Sequence, residues 1–345
     1  MSFAEQELRS QFEALEQTAR HIIGRREELR SVLGEVRSLC VLGCGSSHSV
    51  AKSTARQFAQ RCGIPAQALA AGDLLVNFDA YQRTLTGTAL VLLSRSGSTS
   101  ELLAAARLFR ERFPGMPIIS ICAVTDAPVA ELATISVELP WAFDRSVCQT
   151  RTVSNLYGAG LLLAALKSGD GSLLADFDEL REKSTGFCAE VEEVTDALAA
   201  GDWTSSVVLA DSGSAGLAEE AALAFKEICR TPSSFYNLLD VRHGPIVLVD
   251  RRTLVLTLVS RGDAALQADL VTDLRSRTDH VVVFACGPAT DDAAIALPRL
   301  RNDDVSALFM LYTIQLLCLK RALRQGLDPD QPDGLDAWIE LRPAG

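Results

Sequence analysis

Apolar positions along this chain of 345 residues follow two rhythms. Over residues 3–36, Phe3, Leu8, Phe12, Leu15, Ile22, Ile23, Leu29 and Leu33 recur at roughly helical spacing, which predicts helix across the stretch. Short apolar runs then take over. Ser38–Leu42, Ala66–Ala70, Ala89–Leu93, Pro117–Val124 and Ile135–Leu139 read as strands. Helical patterns fill the gaps at His48–Cys62, Glu101–Phe113 and Asn155–Leu166. Residues 168–200 carry a Gly/Ser/Asp stretch and then a charged helix. The strand pattern restarts at Ser206–Ala210, followed by a helix to Cys229. Ile246–Val249, Thr253–Val259 and His280–Ala285 are further apolar runs, with a helix over Leu266–Ser276. Asp304–Arg324 predicts a long, largely apolar helix across the core. Strands alternating with helices predict parallel sheets covered on both faces.

The two stretches of alternation are similar to each other. Gly45 and Gly213 lie 168 residues apart, and Ser94 and Ser260 lie 166 apart. Each half runs strand, Gly/Ser loop, helix, and about 50 residues later strand, Ser-Arg turn, helix. A duplicated αβ unit fits. The expected organisation is a helical region at 1–37, a first αβ domain at 38–168, a linker helix at 169–200, a second αβ domain at 201–300, and a helix and tail at 301–345.

Composition narrows the class. The chain is 48% hydrophobic and 22% charged, as in globular proteins. Its formal charge of −11 argues against nucleic acid and anionic membrane surfaces as partners, because both demand a basic face. No apolar run reaches the ~18 residues of a membrane span, and Met1–Arg37 is charged rather than a leader. A cytoplasmic protein is expected. The nine cysteines are scattered, without CxxC or zinc-ligand spacing. Buried reduced thiols are the expectation, and no metal or cofactor is called for.

Three segments carry candidate chemistry. Ser94-Arg95-Ser96-Gly97-Ser98-Thr99 follows a strand and opens a helix. Free N–H groups and the positive end of the helix dipole collect there, and hydroxyls add donors. That composition suits a phosphate monoester; an ordinary capped turn is the alternative. Gly43-Cys44-Gly45-Ser46-Ser47 lacks the third glycine of a dinucleotide loop, since His48 stands there. A tight turn at Gly45 that brings Ser46 and Ser47 beside Ser94 is the better reading. In the second half, Ser260-Arg261-Gly262-Asp263 loses a hydroxyl and gains a carboxylate, so phosphate belongs to the first half. The third segment pairs Glu227 with His243-Gly244-Pro245. Glu220, Ala224 and Glu227 share one helical face, and a desolvated Glu227 would have a raised pKa suited to a base near neutrality.

On these residues the chain resembles the tandem sugar isomerase (SIS) domain family over roughly residues 38–332. Gly43–Ser47 and Ser94–Thr99 look like its two sugar-phosphate loops. Glu220–Glu227 with His243-Gly244-Pro245, and Leu327-Asp328-Pro329-Asp330-Gln331-Pro332, look like the isomerase half of glucosamine-6-phosphate synthase. Gly72-Asp73-Leu74-Leu75-Val76-Asn77, Asp144-Arg145-Ser146 and Gly213-Ser214-Ala215-Gly216-Leu217-Ala218 resemble the AgaS-type sugar-phosphate isomerase/deaminases.

The resemblance implies two three-layer αβα domains with parallel sheets and a phosphosugar aldose–ketose isomerase acting on an amino-substituted hexose 6-phosphate, with or without loss of the amine. Glu227 would move a proton between C1 and C2, and His243 would assist ring opening. Ser46, Ser47, Ser94, Ser96, Ser98 and Thr99 would hold the phosphate, with Gly45, Arg95 and Glu220 in support. A homodimer is implied, with His243 near the partner subunit. The apolar Asp304–Arg324 helix points the same way, carrying more apolar surface than one short domain needs.

Fructosamine-6-phosphate deglycase and a non-catalytic sugar-phosphate sensor are the competing readings. By register, Ala337 takes the place of the synthase's ketose-attacking lysine, and Ala224 that of the lysine on its glutamate helix. No glutaminase half matches before residue 38. The glutamine-dependent synthesis is therefore not expected.

Overall fold

The computed structural model describes residues 1–286, 294–337 and 341. The N-terminal apolar stripe forms three helices rather than one: α1 (Phe3–Arg9), α2 (Gln11–Gly24) and α3 (Arg26–Glu35). The breaks fall at Ser10 and Arg25, whose backbones leave the helical region. Each short helix thereby turns its own apolar edge onto the domain behind it. Leu8, Phe12, Leu15, Ile22, Leu29 and Leu33 all enter the same core.

The first half runs β1 (Leu39–Gly43), α4 (Ser46–Cys62), β2 (Ala66–Ala70), α5 (Ala71–Val76), α6 (Phe78–Leu85), β3 (Ala89–Ser94), α7 (Ser100–Arg112), β4 (Ile118–Cys122), α8 (Pro128–Glu131), β5 (Ile135–Glu138) and α9 (Arg151–Ser168). After α10 (Gly171–Ala200) come β6 (Ser205–Leu209), α11 (Ala215–Ile228), β7 (Ser233–Tyr236), β8 (Thr253–Val259), α12 (Ala264–Arg275), β9 (Val281–Ala285), β10 (Ala294–Ala296) and α13 (Asp303–Arg324). Strand orders are β2-β1-β3-β4-β5 and, read in the matching sense, β7-β6-β8-β9-β10. All pairings are parallel. The repeat seen in the sequence is thus a repeat of topology. Strand β7 escapes the sequence reading because its Ser-Ser-Phe-Tyr text is no apolar run, and β10 because it has three residues. Ile246–Val249 is not a strand: Pro245–Leu248 forms a 3-10 turn with Val247 and Leu248 exposed.

Helix α13 is long and apolar enough, by length and composition alone, to cross a membrane. Its side chains from Val305 through Leu319 are instead buried in the core cluster that also takes in both halves. The apolar surface expected to call for a second subunit is consumed within the chain, against α10 and α11. The nine cysteines are free thiols, six of them buried.

Helices α4 and α11, one from each half, pack against each other. Gly216 makes this approach possible. A Cβ there would lie 2.1 Å from the Ser49 carbonyl oxygen, closer than any side chain tolerates. The Ser53 hydroxyl accepts from the Leu217 N–H across the contact, at 3.2 Å. This seam brings the glutamate helix of the second half against the serine helix of the first.

Candidate active site

In the first sheet, β1 and β3 are neighbours whose following helices leave on opposite faces. Apolar residues of α4 (Val50, Ala51, Phe58) join one core cluster, and those of α7 (Leu102, Ala106, Phe109) join the other. A crevice opens at the carboxyl ends of two such strands, the usual place for ligands in parallel sheets. Here it is a cavity of about 200 Å³, below the ~300–1,000 Å³ of drug-sized pockets and so scaled to a small ligand.

Both hydroxyl turns line it. Gly45, at φ +51°, swings the chain so that Ser46 and Ser47 form the first turn of α4. Ser94 ends β3, and Ser96 and Thr99 complete the second turn, with Thr99 as N-cap of α7. Gly97 (φ +63°) closes that turn; a Cβ there would meet the Ala127 Cβ at 2.5 Å. The Ser94 hydroxyl accepts from the Gly97 N–H at 2.9 Å, and the Ser96 hydroxyl accepts from the Ser98 N–H at 3.2 Å. Each hydroxyl therefore keeps its own hydrogen for an anion. Ser98 itself is not in the cavity wall; its backbone serves Ser96.

Glu227 reaches the same cavity from the end of α11. Burial pushes its carboxyl up to about 7, with Arg95 and Lys226 pulling the other way. Glu220 lies two turns earlier on the same face, fully buried behind the cavity. Burial and then the charge of Glu227 hold its carboxyl well above the ordinary range, against a hydrogen bond to Ser46. Burial and the neighbouring carboxyl thus both oppose ionisation of Glu220.

Two expected participants sit differently. Arg95 lines the cavity, and its guanidinium is tied to backbone carbonyls of the wall. It donates to the carbonyls of Ser146 (2.7 Å), Val147 (3.0 Å) and Ala337. Burial lowers its pKa. Arg95 therefore braces the wall that it also lines. His243 ends a 3-10 turn on the exposed surface and does not line the cavity.

Several wall residues were not singled out from the sequence. Val147 and Gln149 come from the loop before α9, Glu101 from the start of α7, and Leu335 and Asp336 from the C-terminal segment. The place assigned by register to the synthase lysine, Ala337, is part of the wall. The loop is tied down by two buried carboxylates. Asp144 accepts from the N–H groups of Thr150 and Thr152, both at 2.8 Å. Burial, and then the charge of Glu7, raises the Asp144 carboxyl to about 7. Glu7, from α1, accepts from the Arg145 N–H at 2.5 Å and from the Ser146 hydroxyl. Asp330 ties the C-terminal segment to the same place, accepting from Phe3 and Ala4 N–H groups while its carbonyl takes the Val147 N–H. Asp144-Arg145-Ser146 was visible as a motif; that it anchors the wall holding Gln149, three residues on, was not.

The SIS domain model matches residues 33–155 and 202–319, more than half of the chain. The protein belongs to the SIS domain family. Among curated relatives, the glutamine–fructose-6-phosphate aminotransferase (isomerizing) of Haemophilus influenzae is 24% identical over 327 residues, covering 89% of this chain and 52% of that protein. The Pseudomonas aeruginosa protein of the same name is 26% identical over 323 residues, covering 88% and 52%. The chain therefore spans about half the length of the curated relatives it matches. Among solved structures, glucosamine-6-phosphate deaminase from Thermotoga maritima superposes with TM-score 0.81 at 23% identity, covering 99% of this chain and 100% of that one. Tagatose-6-phosphate ketose/aldose isomerase from Escherichia coli gives TM-score 0.86 at 22% identity, covering 99% and 96%. The two parallel five-stranded sheets with flanking helices are the SIS-type αβα domains expected from the sequence.

Proposed function

We propose that this SIS-family protein is a phosphosugar aldose–ketose isomerase whose substrate is an amino-substituted hexose 6-phosphate. One observation carries the reading: a single small cavity holds five hydroxyl residues at two strand-to-helix turns and, facing the same space, a glutamate raised to about 7. The hydroxyl turns suit a phosphate dianion. The glutamate suits transfer of a proton between adjacent carbons, because a base with a pKa near the working pH is half ionised there. The printed activities of the relatives, an isomerizing aminotransferase, a deaminase and a ketose/aldose isomerase, all involve hexose 6-phosphates and support the same class.

In this scheme Ser46, Ser47, Ser94, Ser96 and Thr99 hold the phosphate. The Glu227 carboxylate takes the proton from C2 of the open-chain ammonium sugar while a proton passes from the nitrogen to O1, which gives an enaminol. Glu227 then returns the proton to C1, leaving an imine at C2. Attack of water on that carbon releases ammonia and the ketose phosphate. His243 assists ring opening from a second copy of the chain, consistent with its exposure beside Val247 and Leu248. The place of a Schiff-base lysine in the wall is held by Ala337, so the amine chemistry is water's and not a lysine's. A screen of 6-phosphosugars with paired assays for ammonia and ketose phosphate tests the reading. Turnover of an amino sugar phosphate is expected; no turnover across the panel would overturn it.

A further inference from the structure

The wall that faces Glu227 contains an acceptor with nothing to accept. Gln149 lines the cavity, and its Oε1 is shielded from solvent with no hydrogen-bond partner among the described residues. Such an orphaned acceptor is costly in a finished core, so it points to a donor that arrives with the ligand.

The backbone around Gln149 leaves it little freedom to find another partner. Arg95 holds the carbonyls of Ser146 and Val147. Glu7 takes the Ser146 hydroxyl and the Ser146 N–H, the latter at 3.3 Å. Asp144 takes the Thr150 N–H at 2.8 Å. Main-chain groups on both sides of Gln149 are thus committed, and the side chain is presented from a fixed support.

The charge around the cavity selects the donor. Its charged lining consists of Glu101, Glu227 and Asp336 on one side of the balance and Arg95 on the other. The Arg95 guanidinium keeps its charge while it donates to backbone carbonyls, so three carboxyl groups stand against one cation. Away from the two hydroxyl turns, the cavity is therefore acidic and rich in acceptors. An ammonium group gains from both features; a neutral hydroxyl gains from one, and weakly.

We infer that Gln149 is a specificity-determining residue, whose side-chain carbonyl accepts a hydrogen bond from the protonated amine of an amino-substituted sugar phosphate. The inference rests on the phosphosugar reading above and narrows it: amine recognition is assigned to the 144–150 loop rather than to a lysine or to the phosphate turns.

Binding is measured by calorimetry with two probes, glucosamine 6-phosphate and glucose 6-phosphate, plus the matching galacto pair, at a pH where the amine is protonated. The proteins are the wild type, Gln149→Leu and Gln149→Glu. Gln149→Leu removes the acceptor at similar volume, and should weaken the amino sugar about 10- to 100-fold, the range of a charge-assisted hydrogen bond. The plain sugar should change by no more than about threefold. Gln149→Glu keeps an acceptor and should retain or sharpen the amine preference, so the inference stays testable if the leucine variant folds poorly. Equal weakening of both probes by Gln149→Leu, as for an amide turned the other way, would overturn the inference and leave the phosphosugar reading standing. So would an amine preference that survives in Gln149→Leu or is lost in Gln149→Glu. A wild type that binds neither sugar phosphate would remove both.

Discussion

Replacing Glu227 by Gln separates its two consequences, one for catalysis and one for stability. Gln keeps the size of the side chain but cannot take a proton. A carboxyl at about 7 is half ionised at pH 7 and about one-tenth ionised at pH 6, so wild-type kcat/KM should climb close to tenfold per pH unit below 7 and level off above it. In Glu227→Gln that rise should vanish. The loss of kcat should be on the order of 10²- to 10⁴-fold, or about 3–5 kcal/mol of transition-state stabilisation, with substrate affinity within a few-fold.

The stability effect has the opposite sign. The folded carboxyl sits above its ordinary value of 4.5, so folding favours the protonated form. That contribution is complete below 4.5 and is lost as pH rises through about 7. At pH 8 the wild type carries a buried charge that Gln does not, and the variant should be more stable there by up to roughly 3 kcal/mol. At pH 4 the two should match. Steady-state kinetics from pH 5.5 to 8.5 and urea melts at pH 4 and 8 give both results. Normal turnover by Glu227→Gln would refute the proton-transfer role. A variant no more stable than wild type at pH 8 would refute the claim that burial raises this carboxyl.

Three further outcomes are expected. Changing Ser96 and Thr99 together to Ala should weaken sugar-phosphate binding by roughly 2–4 kcal/mol, each charge-assisted bond contributing about 1.5–3; calorimetry that shows unchanged affinity would move the phosphate elsewhere. Arg95→Lys strands at least one of three carbonyls now served by the guanidinium, and should destabilise the fold by about 1–3 kcal/mol per carbonyl left bare, as read by chemical denaturation. Lost phosphate affinity at unchanged stability would return the guanidinium to the phosphate. Mixing inactive Glu227→Gln with inactive His243→Ala should restore activity if each site draws on two copies of the chain; a mixture that stays dead under exchange conditions would place the whole site within one copy.

The sequence by itself determined the elements, because strands and helices write their own periods into it. Ala89–Leu93 against the observed β3, and Thr253–Val259 against β8, show how far a buried apolar run goes. It also determined the repeat, since Gly45 and Gly213, and Ser94 and Ser260, stand at matching places in the two halves. The hydroxyl turns and the glutamate helix were legible for the same reason: each is a contiguous segment.

What lay beyond reach was set by contacts between distant segments. Nothing near Ser10 or Arg25 shows that the N-terminal stripe must break to follow a curved core. Nothing within Asp303–Arg324 tells whether its apolar face meets lipid, a second subunit or the chain's own α10 and α11. Arg95 stands in a phosphate-like turn, yet carbonyls 51, 52 and 242 residues away claim its guanidinium. Gln149 has no motif to announce it, because an unpartnered oxygen is a property of its surroundings. Local preference fixes what a segment becomes; only the packing of segments, through burial and the satisfaction of polar groups, decides which side chains are left free to meet a ligand.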